Sequence, residues 1–173
     1  MRPFVISTDT TADLPAEYTK EHGISIHPLH YLIDEKEYGM ELGELTPHEF
    51  YQTMRDGKMP TTNATNLGYD IKLMEELAEQ GNDILHISFS SQMSTSYNNA
   101  RLAAEEVMGH HPECRIVVFD SKNATCGLSV LIRMLVKMKE NGSTLDEAAA
   151  WVEEVLPHTV CNFTLPDLFH MWR

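Results

Sequence analysis

Short apolar runs alternate along this chain with longer segments in which apolar residues recur at helical spacing. Residues 4–8, 84–88 and 115–120 are short runs rich in β-branched residues and followed by turn residues, the pattern of buried strands. Residues 24–32 alternate in part and predict another strand. Because helical segments separate the strands, the pattern predicts an α/β fold with a mainly parallel sheet and helices on both faces.

Capping and stop signals mark the helices. Thr46-Pro47-His48-Glu49 has capping-box spacing with proline at the first helical position. We expect that helix to turn Phe50, Tyr51 and Met54 inward. The predicted helices run from Pro15 to just before Gly23, from Pro47 to near Gly57, over residues 67–80, 98–107 and 127–141, and from a Thr144 cap to Leu156.

The other segments are predicted as turns, a loop and a C-terminal continuation. Residues 34–37 form an exposed turn and Tyr38 begins a return segment, while residues 59–66 form a polar loop. Residues 159–165 predict a last strand, and residues 167–173 predict the start of a helix.

The most informative segment is the hydroxyl-rich stretch over residues 88–97, between a predicted strand and a predicted helix. Such a turn leaves backbone N–H groups unpaired, and Ser and Thr add donors without adding charge, so it can hold a carboxylate or a phosphate. The alternative is that Ser94 or Ser96 only caps the helix. Five Ser and Thr residues between Ser90 and Ser96 exceed what one cap requires.

Ligands of open parallel sheets bind outside the carboxyl ends of the strands. Three hydroxyl-bearing segments, residues 7–11, 88–96 and 120–125, should therefore gather at that edge, where the loop over residues 61–66 can join them.

Composition and charge argue against several classes of function. The 173 residues are 42% hydrophobic with a net charge of −13 and no basic cluster, which argues against nucleic acid and anionic membrane partners. No apolar run is long enough to span a membrane, and the start lacks a secretory leader. Three widely spaced cysteines argue against a disulfide framework and a structural zinc site, so the expected compartment is the cytoplasm.

Catalytic motifs are scarce. The sequence has no Gly-x-Ser-x-Gly elbow, no His-Glu-x-x-His pattern and no glycine-rich nucleotide loop. His86 lies in an apolar strand, where a core histidine is the simpler interpretation. Asp9 comes just after one predicted strand and Asp120 ends another, and the two carboxylates leave open a phosphoryl- or acyl-transfer enzyme. For Asp9 we favour the simpler role of binding backbone N–H groups in its turn. A protein-interaction module with an acidic surface is a third possibility.

Four motifs in fixed order point to a family. The segment Thr8-Asp9-Thr10-Thr11-Ala12-Asp13-Leu14-Pro15 matches the pattern Thr-Asp-Ser-Thr-Ala-Asp-Leu-Pro. Residues 60–66 are similar to Pro-x-Thr-Ser-Gln-Pro-Ser, residues 90–100 to Ser-Ser-x-Leu-Ser-Gly-Thr-Tyr-x-x-Ala, and Asp120-Ser121 to an Asp-Ser pair after a hydrophobic strand. With these motifs, the chain resembles the DegV-like fatty-acid-binding proteins of bacteria along essentially its whole length.

The resemblance implies a binder without catalytic activity, whose ligand is a long-chain fatty acid and which needs no other cofactor. It implies that the carboxylate contacts Thr62 and Ser94, with Ser96 and Asn63 beside them. Some family members present the acid to a fatty acid kinase, which is therefore a possible partner. The chain departs from the family motifs at Asn63-Ala64, which replaces Ser-Gln, and at Thr95, which replaces glycine.

The resemblance also implies a domain organisation. Residues 1–158 correspond to the N-terminal α/β domain, and residues 159–173 to the start of a truncated second domain that supplies tunnel walls in the family. We therefore expect weaker lipid binding by this chain and exposed apolar surface near Phe169 and Trp172.

Overall fold

The computed structural model describes residues 2–39, 44–162 and 164. Its strands are β1 (Phe4–Asp9), β2 (Ser25–His27), β3 (Leu29–Ile33), β4 (Lys36–Tyr38), β5 (Thr61–Thr65), β6 (Asp83–Ser88) and β7 (Ile116–Asp120). Its helices are α1 (Ala16–Glu21), α2 (Pro47–Arg55), α3 (Leu67–Glu79), α4 (Ser96–His110), α5 (Thr125–Glu140) and α6 (Leu145–Val155). Short 3₁₀ turns cover Thr10–Ala12 and Leu156–His158.

Four strands form a parallel sheet in the order β2-β1-β6-β7. Successive residues of β6 face opposite sides of the sheet, and all six are buried, so both faces must be covered. Leu85 and Ile87 pack into a cluster with α5 and α6, whereas Ile84 packs into a second cluster with α3 and α4. The predicted α/β fold with helices on both faces is confirmed.

Helix α5 buries one apolar face against the parallel sheet. Its buried side chains recur every three or four residues, which places them on one stripe of the helix. They are Leu128, Leu131, Ile132, Leu135 and Val136. At about 1.5–3 kcal/mol for each buried aliphatic side chain, this stripe contributes on the order of 10 kcal/mol before entropy costs. On the other face, small residues of α4 allow close contact with α3; Ala100, Ala103 and Ala104 are fully buried there.

A second, three-stranded antiparallel sheet with order β4-β3-β5 was not predicted. The single strand expected over residues 24–32 is two strands, because Pro28 has no N–H to donate and interrupts the ladder. Strand β2 stays with the parallel sheet, and β3 turns into the second sheet. The loop expected over residues 59–66 contains strand β5, which pairs with β3; Tyr31 lies opposite Thr62.

The capping predictions are confirmed for α2 and α6. Thr46 with Glu49, and Thr144 with Glu147, each form a reciprocal capping box. The inward face expected for α2 is wrong in part, since Tyr51 and Met54 are exposed. The Phe50 ring is half-buried and packs edge-on against Tyr31.

The strand predicted over residues 159–165 does not form at residues 159–162 or 164. Chain direction there is set by the 3₁₀ turn Leu156–His158, because the Thr159 backbone N–H and hydroxyl both donate to the Leu156 carbonyl. The Asn123 side chain also donates to the Thr159 hydroxyl at 3.0 Å. Leu165 and the helix predicted over residues 167–173, with Phe169 and Trp172, lie outside the described residues.

Candidate functional site

The carboxyl end of β1 is tied to the turn after β6 by the buried carboxylate of Asp9. One carboxylate oxygen accepts the Thr11 N–H at 3.1 Å, and the other accepts the Phe89 N–H at 2.7 Å. Burial raises the pKa of Asp9, while these hydrogen bonds oppose that rise by stabilising the charged form. The prediction that Asp9 binds backbone N–H groups of its turn is confirmed.

Asp120 plays a similar part at the end of β7. Its Oδ1 accepts the N–H groups of Ser91 at 3.0 Å and Lys122 at 3.1 Å, and its Oδ2 accepts the Ser91 hydroxyl at 2.6 Å. The Ser90 N–H donates to the Asn123 carbonyl at 3.1 Å. The three hydroxyl-bearing segments therefore meet at one edge of the sheet, as the topology predicted.

A cavity of about 420 Å³ lies at this edge, between β5 and the turn that precedes α4. Its volume falls within the roughly 300–1,000 Å³ of small-molecule sites. Thr62 and Asn63 line it from β5, and Ser94 lines it from the turn. The full lining is Leu29, Thr62, Asn63, Ala64, Phe89, Ser91, Met93, Ser94 and Thr95. None of these described lining residues carries a charge.

A second cavity of about 490 Å³ adjoins the first, since Leu29 and Thr62 line both. Tyr31, Phe50 and Tyr51 give it an aromatic wall, and Asp13 and Glu44 also line it. The two cavities together form a partly apolar groove that begins at the uncharged polar end marked by Thr62 and Ser94.

Ser96 does not line the cavity; it lies behind Ser94. Its side chain is fully buried, and its Oγ is 2.8 Å from the Ser94 Oγ. Ser94 also accepts the Ser96 backbone N–H at 3.2 Å, but the N-cap of α4 is Thr95, so the prediction that Ser94 or Ser96 is the cap is wrong. Thr95, where the family motif has glycine, has a φ of −83°, which any L-residue adopts, and its side chain is exposed.

Sequence reasoning missed the residues that hold this hydroxyl pair in place. The Thr65 N–H donates to the Ser96 Oγ at 3.2 Å, and the Thr65 hydroxyl donates to Asp70 at 2.7 Å. The other oxygen of Asp70 is 2.7 Å from Nδ1 of His27, and both side chains are buried. No local sequence pattern predicts these contacts. The only signal is a carboxylate that falls on the inward face of α3.

His86 is the core histidine that its apolar strand predicted. Its Nδ1 lies 2.9 Å from the Ser7 hydroxyl, and its ring packs edge-on against His27. Burial, with the charge of nearby His27, lowers the pKa of His86 well below its usual range. It is therefore a neutral hydrogen-bonding group at neutral pH.

A family model described as an uncharacterised protein of the DegV family matches residues 3–173. The chain belongs to the DegV family. A DegV domain-containing protein of Clostridium perfringens is 37% identical over 174 residues, which cover 100% of this chain and 60% of that protein. The DegV chain described here thus spans about 60% of the length of this curated relative.

Solved structures share the DegV fold. A stearic acid-binding protein from Eubacterium ventriosum superposes with a TM-score of 0.81 at 29% identity, over 87% of this chain and 52% of that one. DegV from Bacillus subtilis, a fatty acid-binding protein, gives 0.81 at 25% identity, over 91% and 55%. Both were solved as proteins roughly twice as long as the superposed part.

The described part of the DegV chain has neither a membrane-spanning helix nor a metal-binding cluster. Across residues 2–39, 44–162 and 164, none of the helices has the length and hydropathy to span a bilayer. Within that same part of the chain, no three His, Cys, Asp or Glu side chains are grouped in a way that could hold a metal ion.

Proposed function

We propose that this chain binds a long-chain fatty acid noncovalently, with the carboxylate held by the hydroxyls of Thr62 and Ser94. The observation that carries the proposal is that these two side chains, 32 positions apart in sequence, line one cavity of about 420 Å³. Asn63 is a further contact in the same cavity. The fatty acids bound by the Eubacterium ventriosum and Bacillus subtilis proteins support the choice of ligand.

Uncharged donors suit a single carboxylate on so acidic a chain. A hydrogen bond to a charged group contributes about 1.5–3 kcal/mol, so two or three donors offset much of the cost of removing a carboxylate from water. Helix α4 begins at Ser96, and its positive N-terminal end adds to the favourable potential beside Ser94. Aliphatic and aromatic walls then accept the tail at about 0.8 kcal/mol per CH₂, less the ordering costs of association.

The decisive experiment compares lipid binding by the wild type and the Thr62→Ala/Ser94→Ala variant. The double variant should lose at least tenfold in affinity for stearate and copurify with less lipid, measured by titration and by mass spectrometry of extracts. A matched control is Thr61→Ala/Ser143→Ala, which removes two hydroxyls that do not line this cavity. Equal lipid content and affinity in the wild type and the Thr62/Ser94 variant would rule out the assigned head-group site.

We also propose that the protein is a binder and not an enzyme. Both oxygens of Asp9 and of Asp120 accept hydrogen bonds from the protein, which supports a structural role for each carboxylate. We therefore expect no magnesium-dependent turnover of a model acyl phosphate. Turnover that Asp9→Asn abolishes would contradict this assignment.

The family resemblance alone suggests the wider setting. We propose that residues 1–158 act as the N-terminal domain, that residues 159–173 begin a second domain, and that a fatty acid kinase receives the bound acid in the cytoplasm. Three free thiols, Cys114, Cys126 and Cys161, agree with a reducing compartment. Adding a purified fatty acid kinase and ATP to the loaded protein should yield acyl phosphate, and none should form when the Thr62/Ser94 variant replaces it.

A further inference from the structure

The buried hydroxyl of Ser96 has one hydrogen bond whose direction is fixed by chemistry. Its Oγ lies 3.2 Å from the backbone nitrogen of Thr65, and a backbone N–H can only donate. The Ser96 Oγ is therefore the acceptor in that contact. Its own proton needs a different partner.

That partner is Ser94. Within the described part of the chain, the other side-chain contact of the Ser96 Oγ is the Ser94 Oγ, at 2.8 Å. Ser96 is fully buried, so a Ser96 proton directed elsewhere would remain without an acceptor, which is costly away from water. The Ser96 hydroxyl therefore donates to Ser94.

Ser94 consequently receives two hydrogen bonds from the same residue. Its Oγ accepts the Ser96 hydroxyl and also the Ser96 backbone N–H at 3.2 Å. A hydroxyl oxygen has two acceptor positions, and both are now filled. The remaining capacity of Ser94 is its own O–H, on a half-buried side chain that lines the cavity.

Buried contacts hold the Thr65 N–H in its position beside the Ser96 hydroxyl. Thr65 is held at its carbonyl by the Asn99 amide at 2.7 Å and at its hydroxyl by Asp70 at 2.7 Å. Asp70 is held in turn by His27 at 2.7 Å. The Thr65 N–H thus cannot turn away from Ser96 without breaking several buried contacts.

We propose that Ser96, fixed by the Thr65 N–H, is a positioning residue that makes Ser94 an obligatory hydrogen-bond donor, so that Ser94 favours head groups that accept over head groups able only to donate. The inference rests on the proposed function and adds a selection rule to it. A carboxylate fits because it only accepts. An alkylammonium of equal length only donates, so it finds no acceptor on Ser94, although the net charge of −13 would attract a cation.

The test measures two probes of equal chain length, tetradecanoate and tetradecylammonium, by displacement of a fluorescent fatty acid below their micellar concentrations. The wild type should prefer the carboxylate, and Ser96→Ala should lower that preference by roughly tenfold because it frees one acceptor position on Ser94. Ser96→Thr keeps a hydroxyl, as in the family motif, and should retain the wild-type preference. If Ser96→Ala does not fold, Ser96→Cys replaces it, since a thiol is a weak donor and a weak acceptor.

The outcomes separate the two proposals. Wild-type protein that binds neither probe would overturn the proposed function and this inference with it. A wild type that binds both probes equally, or a Ser96→Ala variant that weakens both by the same factor, would overturn the inference alone, because a purely structural role cannot change the preference.

Discussion

The contact between His27 and Asp70 gives the sharpest prediction about stability. Both side chains are at most 1% exposed, and the atoms that pair are 2.7 Å apart. His27 Nε2 is buried without a partner in the described residues, so Asp70 supplies the only hydrogen bond of that ring. Removing Asp70 also leaves the Thr65 hydroxyl without its hydrogen-bond acceptor. We expect Asp70→Leu to cost about 3–5 kcal/mol, the usual effect of removing one partner of a buried pair.

The measurements are urea unfolding and thermal melting, both followed by far-UV circular dichroism at neutral pH. For a domain of this size, 1 kcal/mol corresponds to about 2–4 °C in melting temperature, so Asp70→Leu should melt roughly 10 °C lower. Asp56→Asn is the matched control, because Asp56 is exposed and accepts from Gln52 within one helix end. Its effect should stay within about 0.5 kcal/mol.

A double variant shows whether the pair itself is responsible. His27→Val/Asp70→Leu removes both polar partners, so it should be more stable than Asp70→Leu alone. The coupling energy from the full cycle should exceed about 1.5 kcal/mol. Additive costs, or an Asp70→Leu variant within 1 kcal/mol of the wild type, would refute the reasoning.

Three further changes test other parts of the fold. The pKa of His86 is lowered in the folded state, so the unfolded chain binds more protons below about pH 6.5 and the free energy of unfolding decreases on acidification. In His86→Asn, the urea midpoint should decrease less between pH 7.5 and pH 5 than it does in the wild type. Gly127→Ala would place a methyl group 2.6 Å from the Asn123 Oδ1 and should cost about 1–3 kcal/mol of stability. In Gly109→Ala the methyl group meets open space, and the change should stabilise the protein by up to about 1 kcal/mol. Thermal melts in which Gly127→Ala is the more stable variant would contradict these contacts. Thr144→Ala removes the α6 cap and should cost about 1 kcal/mol by urea unfolding, and no loss would count against that cap.

The parallel sheet and its helices could be predicted because their signals are local. Apolar runs, helical spacing and capping residues each lie within a few positions, and helix α6 begins beside Thr144 as its capping box requires. The small second sheet escaped prediction for the opposite reason. Three of the five residues of β5 are exposed and polar, and the strand exists because β3 pairs with it some thirty positions away.

The candidate site also contains residues that the sequence predicted and residues that it did not. The family motifs marked Thr62 and Ser94, and the topology brought their two segments to one cavity. Ser96 carries a hydroxyl like theirs, yet its role as a buried partner of Ser94 depends on Thr65, which no motif singled out. His27 and Asp70 are 43 positions apart, so their pairing follows from the packing of α3 on β2 and not from any spacing in the sequence.

The bond between Asp9 and the Phe89 N–H has a consequence for how the chain comes off the ribosome. These groups are 80 positions apart, and at about 5–20 residues per second the carboxylate waits several seconds for its partner to be synthesised. Strand β1 can meet β2 early, but β6 and the turn after it arrive later. The ligand-facing edge thus takes shape only after the turn that follows β6 has been synthesised, and until then a nascent chain lacks the capacity to hold a head group.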